Sequence, residues 1–355
     1  MKDDRISKLA DVLVEHSLSI KEGDNVVIRS GYQAKPLIDE FYKKAVLKGA
    51  NVFTHILIDN QKKFLMENAN AKQLEKVSMF YEDLYEKADA FLTIEAPENV
   101  KYLSNVLPRK NMEYNRAQAP AIHKITNKRW VMTNYPVEAF AQQADMSLEE
   151  YEDFLFDAVL IDYNKLDEEM SKVKEAFDNA DTVRIVGRDT DLTFSIKGRN
   201  GIKCSGQNNV PDGEVYYAPV TNSANGHIYY EFPAIRYGSQ VDGVRLEFKD
   251  GKVVSAKADR NADFLNQMLD TDRGARYIGE FGIGLNYGIK KFIKNILFDE
   301  KIGGTIHLAV GNSYELSGGD NKSDIHWDMI KELRDCGEIY TDGKLIQKNG
   351  VYLFD

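Results

Sequence analysis

The sequence predicts a chain in two parts. An α/β domain with a parallel sheet covered by helices comes first, and an α+β domain that is mainly antiparallel follows. Three observations lead there. The 355 residues exceed what one ordinary hydrophobic core organises. The first half alternates β-rich runs with helical spacing, the pattern of strands joined by crossover helices. Beyond the helical text that closes near residue 178, the chain turns to short strands separated by turn residues, so the expected division is 1–178 and 179–355.

The elements follow in order. "ISKLADVLVEHSL" has helical apolar spacing, and "DNVVIRS" is a strand. "KPLIDEFYKKAVLKG" reads as an amphipathic helix closed by Gly49 as a C-cap residue. "ANVFTHILI", "ADAFLTIEA" and "RWVMTNYP" are further strands, with a helix near 61–77 between the first two. "SLEEYEDFLFDAVL" opens on a capping box, Ser147 with Glu150. "YNKLDEEMSKVKEAFDNA" is expected to end the first domain. The second domain's strands include "TDLTFSIKG", "GEVYYAP", "GHIYYEFPAI" and "VRLEFKDGKVVSA", the last with a two-residue hairpin turn at Asp250-Gly251. Helices are expected near 259–270 and 288–297.

Composition narrows the function. Forty-six basic against fifty-six acidic residues give a net charge of −10, with no basic block, which argues against a nucleic-acid partner and an anionic membrane surface. Cys204 and Cys336 stand far apart with no CxxC partner, so neither a disulfide framework nor a cysteine-type zinc site is expected, in keeping with a reducing cytoplasm. The N-terminus lacks the apolar core of a signal peptide, and no run approaches the roughly 18 apolar residues of a membrane span.

Among six histidines, His16 and His123 sit in polar helical text, His55 lies in a buried-strand run, and His227 starts a strand. His307, in "GGTIHLAVGNSYE", reads equally as a core histidine or as a ligand on a rigid strand. In "SDIHWDMI", His326 and Asp328 are two apart and share one strand face, while Ile325, Trp327 and Met329 face the other way. That pair suits a divalent ion or a hydrogen-bonded core pair. Glu214 follows a Pro-Asp-Gly turn into a strand, and Glu280 interrupts the turn-rich "ARYIGEFGIGLNYG". Each could be a solvated strand-end residue. Taken together, Glu214, Glu280, His307, His326 and Asp328 supply oxygen and nitrogen donors suited to Zn²⁺, Co²⁺ or Mn²⁺, and are enough for a pair of ions.

"GIGLNYG" imitates a dinucleotide loop, but its glycines are spaced GxGxxxG and no βαβ unit surrounds it. The first strand carries the single Gly31 after it, and neither GxSxG nor HExxH occurs.

"TDLTFSIKGR", "NVPDGEVYYAPV", "GEFGIGLN", "GTIHLAVGNSY" and "NKSDIHWDMI", in that order, resemble the aminopeptidase T/aminopeptidase S family of metallo-aminopeptidases, a thermophilic metalloprotease-like group. The first half is similar in layout only. The resemblance implies metal ligation by Glu214, Glu280, His307, His326 and Asp328, an active-site Tyr314, peptide substrates with a free N-terminus, and a homodimer in the cytoplasm. The implied reaction is removal of an N-terminal residue by a water activated between two divalent metal ions (Zn, Co or Mn). Glu280 would also shuttle a proton, and Tyr314 would donate to the oxyanion. Trp327 would anchor the His-x-Asp strand. The alternatives are an amidase of other specificity on the same ligands, or a metal-binding dimer without catalysis. Nucleotide binding by the first domain would rest on fold alone.

Overall fold

The computed structural model describes residues 3–354. The chain divides into two units, residues 1–160 with 206–211, and residues 161–205 with 212–355. In the first, strands β1 (Asn25–Gly31), β2 (Asn51–Leu57), β3 (Ala90–Glu95) and β4 (Arg129–Asn134) form a parallel sheet in the order β2-β1-β3-β4. The short strand Asn209–Val210 adds to β4 at the edge. The strands are apolar where they are covered by helices, as at Val26, Val27 and Ile28 of β1 and Phe91 and Leu92 of β3.

Local chemistry sets the helix ends. Ser147 Oγ accepts from the Glu150 amide at 3.2 Å while the Glu150 carboxylate accepts from the Ser147 amide at 2.8 Å, closing the capping box. Gly49, at φ +87°, lies just past the helix Lys35–Leu47. The helix expected near 61–77 is two helices, Asp59–Asn68 and Ala71–Leu74, because Ala69 turns to extended backbone and Asn70 opens a new capping box with Gln73.

The second unit holds an eight-stranded and a five-stranded antiparallel sheet. The hairpin at Asp250-Gly251 is formed with both residues at positive φ, +49° and +84°. The five-stranded sheet is a meander whose spatial order is its chain order: β5 (Ile202–Cys204), β6 (Glu214–Tyr217), β7 (Ile278–Gly284), β8 (Ile306–Gly311) and β9 (His326–Lys331). One of its faces is core. Phe281 of β7 lies with its ring centroid 5.7 Å from Phe177 and 5.1 Å from Phe194, and Tyr217 of β6 lies 5.9 Å from Phe177. On the same face Trp327 is buried against Phe264.

Two further expectations differ. The helix Tyr163–Asp178 was expected to close the first domain. It groups with the second unit, because Phe177 packs on β6 and β7 and the Tyr217 hydroxyl donates to Asp178 at 2.8 Å and to the Lys174 carbonyl. The stretch 288–297 is not a helix; a single turn, Ile296–Asp299, stands there. Specific anchors hold the backbone irregular. Asn286 Oδ1 accepts from the Gly288 amide, Asp299 accepts from the Ile293 amide, and Phe292 stacks on Phe232 at 4.7 Å.

Truncating Phe281 to Ala empties the joint between helix and sheets. It should destabilise the protein by about 3–5 kcal/mol in denaturant titration, and a loss below about 1 kcal/mol would contradict this packing account.

Candidate metal centre

Strand register decides what the other face of the meander carries. Glu280 stands opposite Ala309, Gly282 opposite His307 and Tyr216, and Gly284 opposite Glu214. Cys204 stands opposite Glu214, Asp328 opposite Ala309, and His326 opposite Gly311. Cross-strand partners point the same way and alternate residues share a face. Cys204, Glu214, Glu280, His307, His326 and Asp328 therefore all project from one side, with Tyr217, Phe281, Leu308 and Trp327 on the other. Alternation along β7 puts Glu280 on this face with Gly282 and Gly284, while the bulge at Gly279 turns Ile278 to the opposite one.

The five residues singled out from sequence are brought together in two overlapping groups, Glu214–Glu280–His307 and Glu280–His326–Asp328, each with ligand atoms within 4.8 Å of one another. Glu280 belongs to both. Its Oε1 lies 3.3 Å from His307 Nε2, and its Oε2 lies 3.2 Å from His326 Nε2. Glu214 Oε2 is 3.5 Å from His307 Nε2, and Asp328 Oδ1 is 3.4 Å from His326 Nε2. Both rings are fixed from behind: His307 Nδ1–H donates to the Glu300 carbonyl at 3.0 Å, and His326 Nδ1–H to the Asn312 carbonyl at 2.8 Å. That arrangement presents each Nε2 to the acids, as histidine ligands of metals require.

Donor chemistry and burial both fit divalent ions. Glu214, Glu280 and His307 are 6%, 5% and 1% exposed, and Glu214 Oε2 has no hydrogen-bond partner. A buried carboxylate oxygen without a partner is costly unless a cation takes it. The electrostatics agree. Burial pushes the Glu214 carboxyl up to about 8 against the pull of Lys301. Burial also acts to raise Glu280 and Asp328, but hydrogen bonds from His307 and His326 hold Glu280 below its ordinary value, and the His326 charge does the same for Asp328. Burial opposes charge on the imidazoles, yet the acids outweigh it and raise His307 to about 10 and His326 to about 11. Without a metal, protons fill the place of cations.

Several contributors were not legible beforehand. Lys301 is fully buried, 3.7 Å from Glu214 and paired with Glu300. Cys204, Asp212 and Glu214 form a third group of possible ligands at the edge of the site. Gly282, in the stretch set aside as a false dinucleotide loop, is required sterically: a Cβ there would lie 1.9 Å from His307 Cε1 and 2.0 Å from Nε2. Register, not sequence spacing, carries that signal. Tyr314 stands at the rim, 44% exposed, with its ring 5.0 Å from His326 and 5.5 Å from Tyr216. Burial and the Glu280 and Asp328 charges raise its hydroxyl above the ordinary range, so it keeps its proton and remains a donor. His227 is exposed, and His55 lies in the other unit.

The chain matches the family described as "Thermophilic metalloprotease (M29)" over residues 2–352. It is 25% identical to Aminopeptidase 2 of Geobacillus stearothermophilus, covering 87% of this chain and 84% of that one, and 25% identical to Aminopeptidase T of Thermus thermophilus, covering 95% of each. The structure of wild-type AmpT from Thermus thermophilus superposes with a TM-score of 0.86 at 21% identity, over 99% of both chains. The fold is also shared, at a TM-score of 0.64 and 14% identity over 98% of this chain and 96% of the other, by a 2,5-dihydroxypyridine dioxygenase from Pseudomonas putida KT2440.

Two outcomes follow from this geometry. In metal-free protein, His307, His326 and Glu214 all bind protons more tightly folded than unfolded. The stability they contribute is complete below their unfolded values and is lost as pH rises through the folded ones. The melting temperature of chelated protein should therefore fall between about pH 5 and pH 9; a flat or rising profile would count against protonated imidazoles here. Gly282→Ala should displace His307 and weaken divalent-ion binding at least about tenfold by calorimetry, and unchanged affinity would refute the steric role.

Proposed function

The chain belongs to the thermophilic metalloprotease (M29) family, and from that premise we propose that it is a metal-dependent aminopeptidase whose catalytic face is the polar side of β6–β9. The observation that carries this reading is the sharing of Glu280 by two ligand groups whose histidines are both locked from behind. Glu214, Glu280 and His307 would hold one divalent ion, and Glu280, His326 and Asp328 a second, from among Zn²⁺, Co²⁺ and Mn²⁺. When bound, such ions supply a water of lowered pKa and a Lewis acid for the scissile carbonyl.

The chain's own residues do the rest. Glu280, placed between both histidines, is the carboxylate to take a proton from the attacking water and return it to the leaving amine. Tyr314 keeps its proton beside His326 and can donate to the oxyanion that forms on the carbonyl. Preference for a substrate with a free peptide N-terminus rests on the family membership. Cytoplasmic location and a homodimer complete the reading. Two cysteines without a disulfide partner support the first, and the family resemblance supports the second. Among the described residues, no helix is long and apolar enough to cross a membrane.

With leucine anilide as substrate, Glu280→Gln should lower kcat by about 100-fold or more while the fold persists; near-normal turnover would remove Glu280 from proton transfer. N-acetyl-leucine anilide should not be cleaved. Equal cleavage of both would favour an amidase of other specificity.

A further inference from the structure

The first unit carries a polar cluster that the metal centre does not use. Its sheet order, β2-β1-β3-β4, sends the chain from β1 to one side and then back across to β3 on the other. The carboxyl ends of β1 and β3 thus flank the point where connections part, the crevice in which doubly wound sheets receive ligands. Register sets His55, Arg29 and Thr93 abreast on β2, β1 and β3, and Glu95 ends β3 on the same face. Closer to the amino ends, that face is apolar, with Val27 and Phe91 packed among Tyr85, Ala121 and Ile125. At Arg29 the core stops and charge begins. The helix after β2 adds Asp59, its first residue, and Lys62.

These four charges do not close into pairs. Arg29 Nε is buried without a hydrogen-bond partner, Nη1 donates to Thr93 at 3.4 Å, and the guanidinium also interacts with the Tyr85 hydroxyl. Lys62 and Glu95 feel each other and Arg29 through space, with no hydrogen bond between them. Asp59 accepts from the Glu98 amide at 3.2 Å. Elsewhere in this unit comparable groups make direct contact, as Arg129 does with Asp24 at 2.7 Å and Lys44 with Asp11 at 2.6 Å. Glu95 retains exposed surface at the end of β3, while desolvation by its surroundings raises its carboxyl. Burial likewise lowers Lys62. Charges of both signs, held apart and without direct ion pairs, can be bridged by a ligand that itself carries both signs.

We infer that this cluster binds a small zwitterion of the α-amino-acid or dipeptide class, with its carboxylate on Arg29 and Lys62 and its ammonium on Glu95 and Asp59. The balance of two cations and two anions disfavours a phosphate ligand, which the acids would repel, and β1 ends in a single glycine, Gly31, rather than a phosphate-cradling loop. Rings line the site for the ligand's carbon skeleton: Tyr85 under Arg29 at 5.5 Å, Tyr114 under Lys62 at 5.5 Å, and Tyr81 stacked on His55 at 4.5 Å.

Calorimetric titration of the full chain with L-leucine and glycyl-leucine tests this without reading hydrolysis. At least one zwitterion should bind. N-acetyl-leucine and leucinamide, each lacking one charge, should bind at least tenfold more weakly. Arg29→Met and Glu95→Gln should each weaken binding at least tenfold, while Glu280→Gln leaves it in place. Glu95→Gln is isosteric and carries the test should Arg29→Met fail to fold. The inference is overturned by the absence of binding at millimolar ligand, by equal binding of the singly charged analogues, or by binding that vanishes in Glu280→Gln and survives in Glu95→Gln, which would place the ligand at the metal centre.

Discussion

Two glutamates, Glu214 and Glu280, are carried into the interior on one face of an antiparallel meander, and everything around them answers the cost of that burial. Water cannot solvate these carboxylates, so cations must. The structure provides three: Lys301, fully buried beside Glu214, and the two imidazoles, kept charged by the acids they face. A proton on each Nε2 is a modest substitute for a divalent ion, and Glu214 Oε2 still lacks a donor. The ligand set is best understood as an arrangement whose charge closes only when metal displaces protons.

Such a face can exist because the opposite one is so firmly packed. Phe281, Tyr217 and Trp327 alternate with Glu280, Glu214 and the His326–Asp328 pair along their strands, so each functional side chain has a neighbour in sequence that pins its backbone. Space for the ligands comes from residues without bulk. Gly282 and Gly284 lie on the ligand side of β7, Ala309 stands between Glu280 and Asp328, and Gly311 is opposite His326. At these positions the polar side chains stand beside small residues, which leaves room for groups from four strands to converge.

Much of this was legible in the sequence where the controlling physics is local. The Ser147–Glu150 capping box, the Asp250-Gly251 hairpin and the alternation in "SDIHWDMI" each depend on a few adjacent residues, and each is present. The five candidate ligand positions were legible as types, since buried-looking Glu, His and Asp in apolar strands demand an explanation, but their meeting was not. It depends on register between strands up to a hundred residues apart, for which the ordered resemblance to a known family was the substitute. The same limit explains the rest. Lys301 sits in the unremarkable "DEKIGG", and only the fold buries it. Gly282 stood out in the sequence only as part of a loop that imitates a dinucleotide motif; its steric role, room for His307, exists only across a strand pair. The helix Tyr163–Asp178 has the same amphipathic text whichever unit it joins, and the apolar spacing of 288–297 is overridden by Asn286 and Asp299 side chains bonding the backbone.

The account stands on the claim that these carboxylates and imidazoles are metal ligands and not a self-satisfied polar core. Elemental analysis of protein purified without chelators addresses that directly. The account predicts about two divalent ions per chain, falling well below that in a His307→Ala, His326→Ala double variant that remains folded. Protein that carries no stoichiometric metal, and takes up none of Zn²⁺, Co²⁺ or Mn²⁺ on add-back, would contradict it.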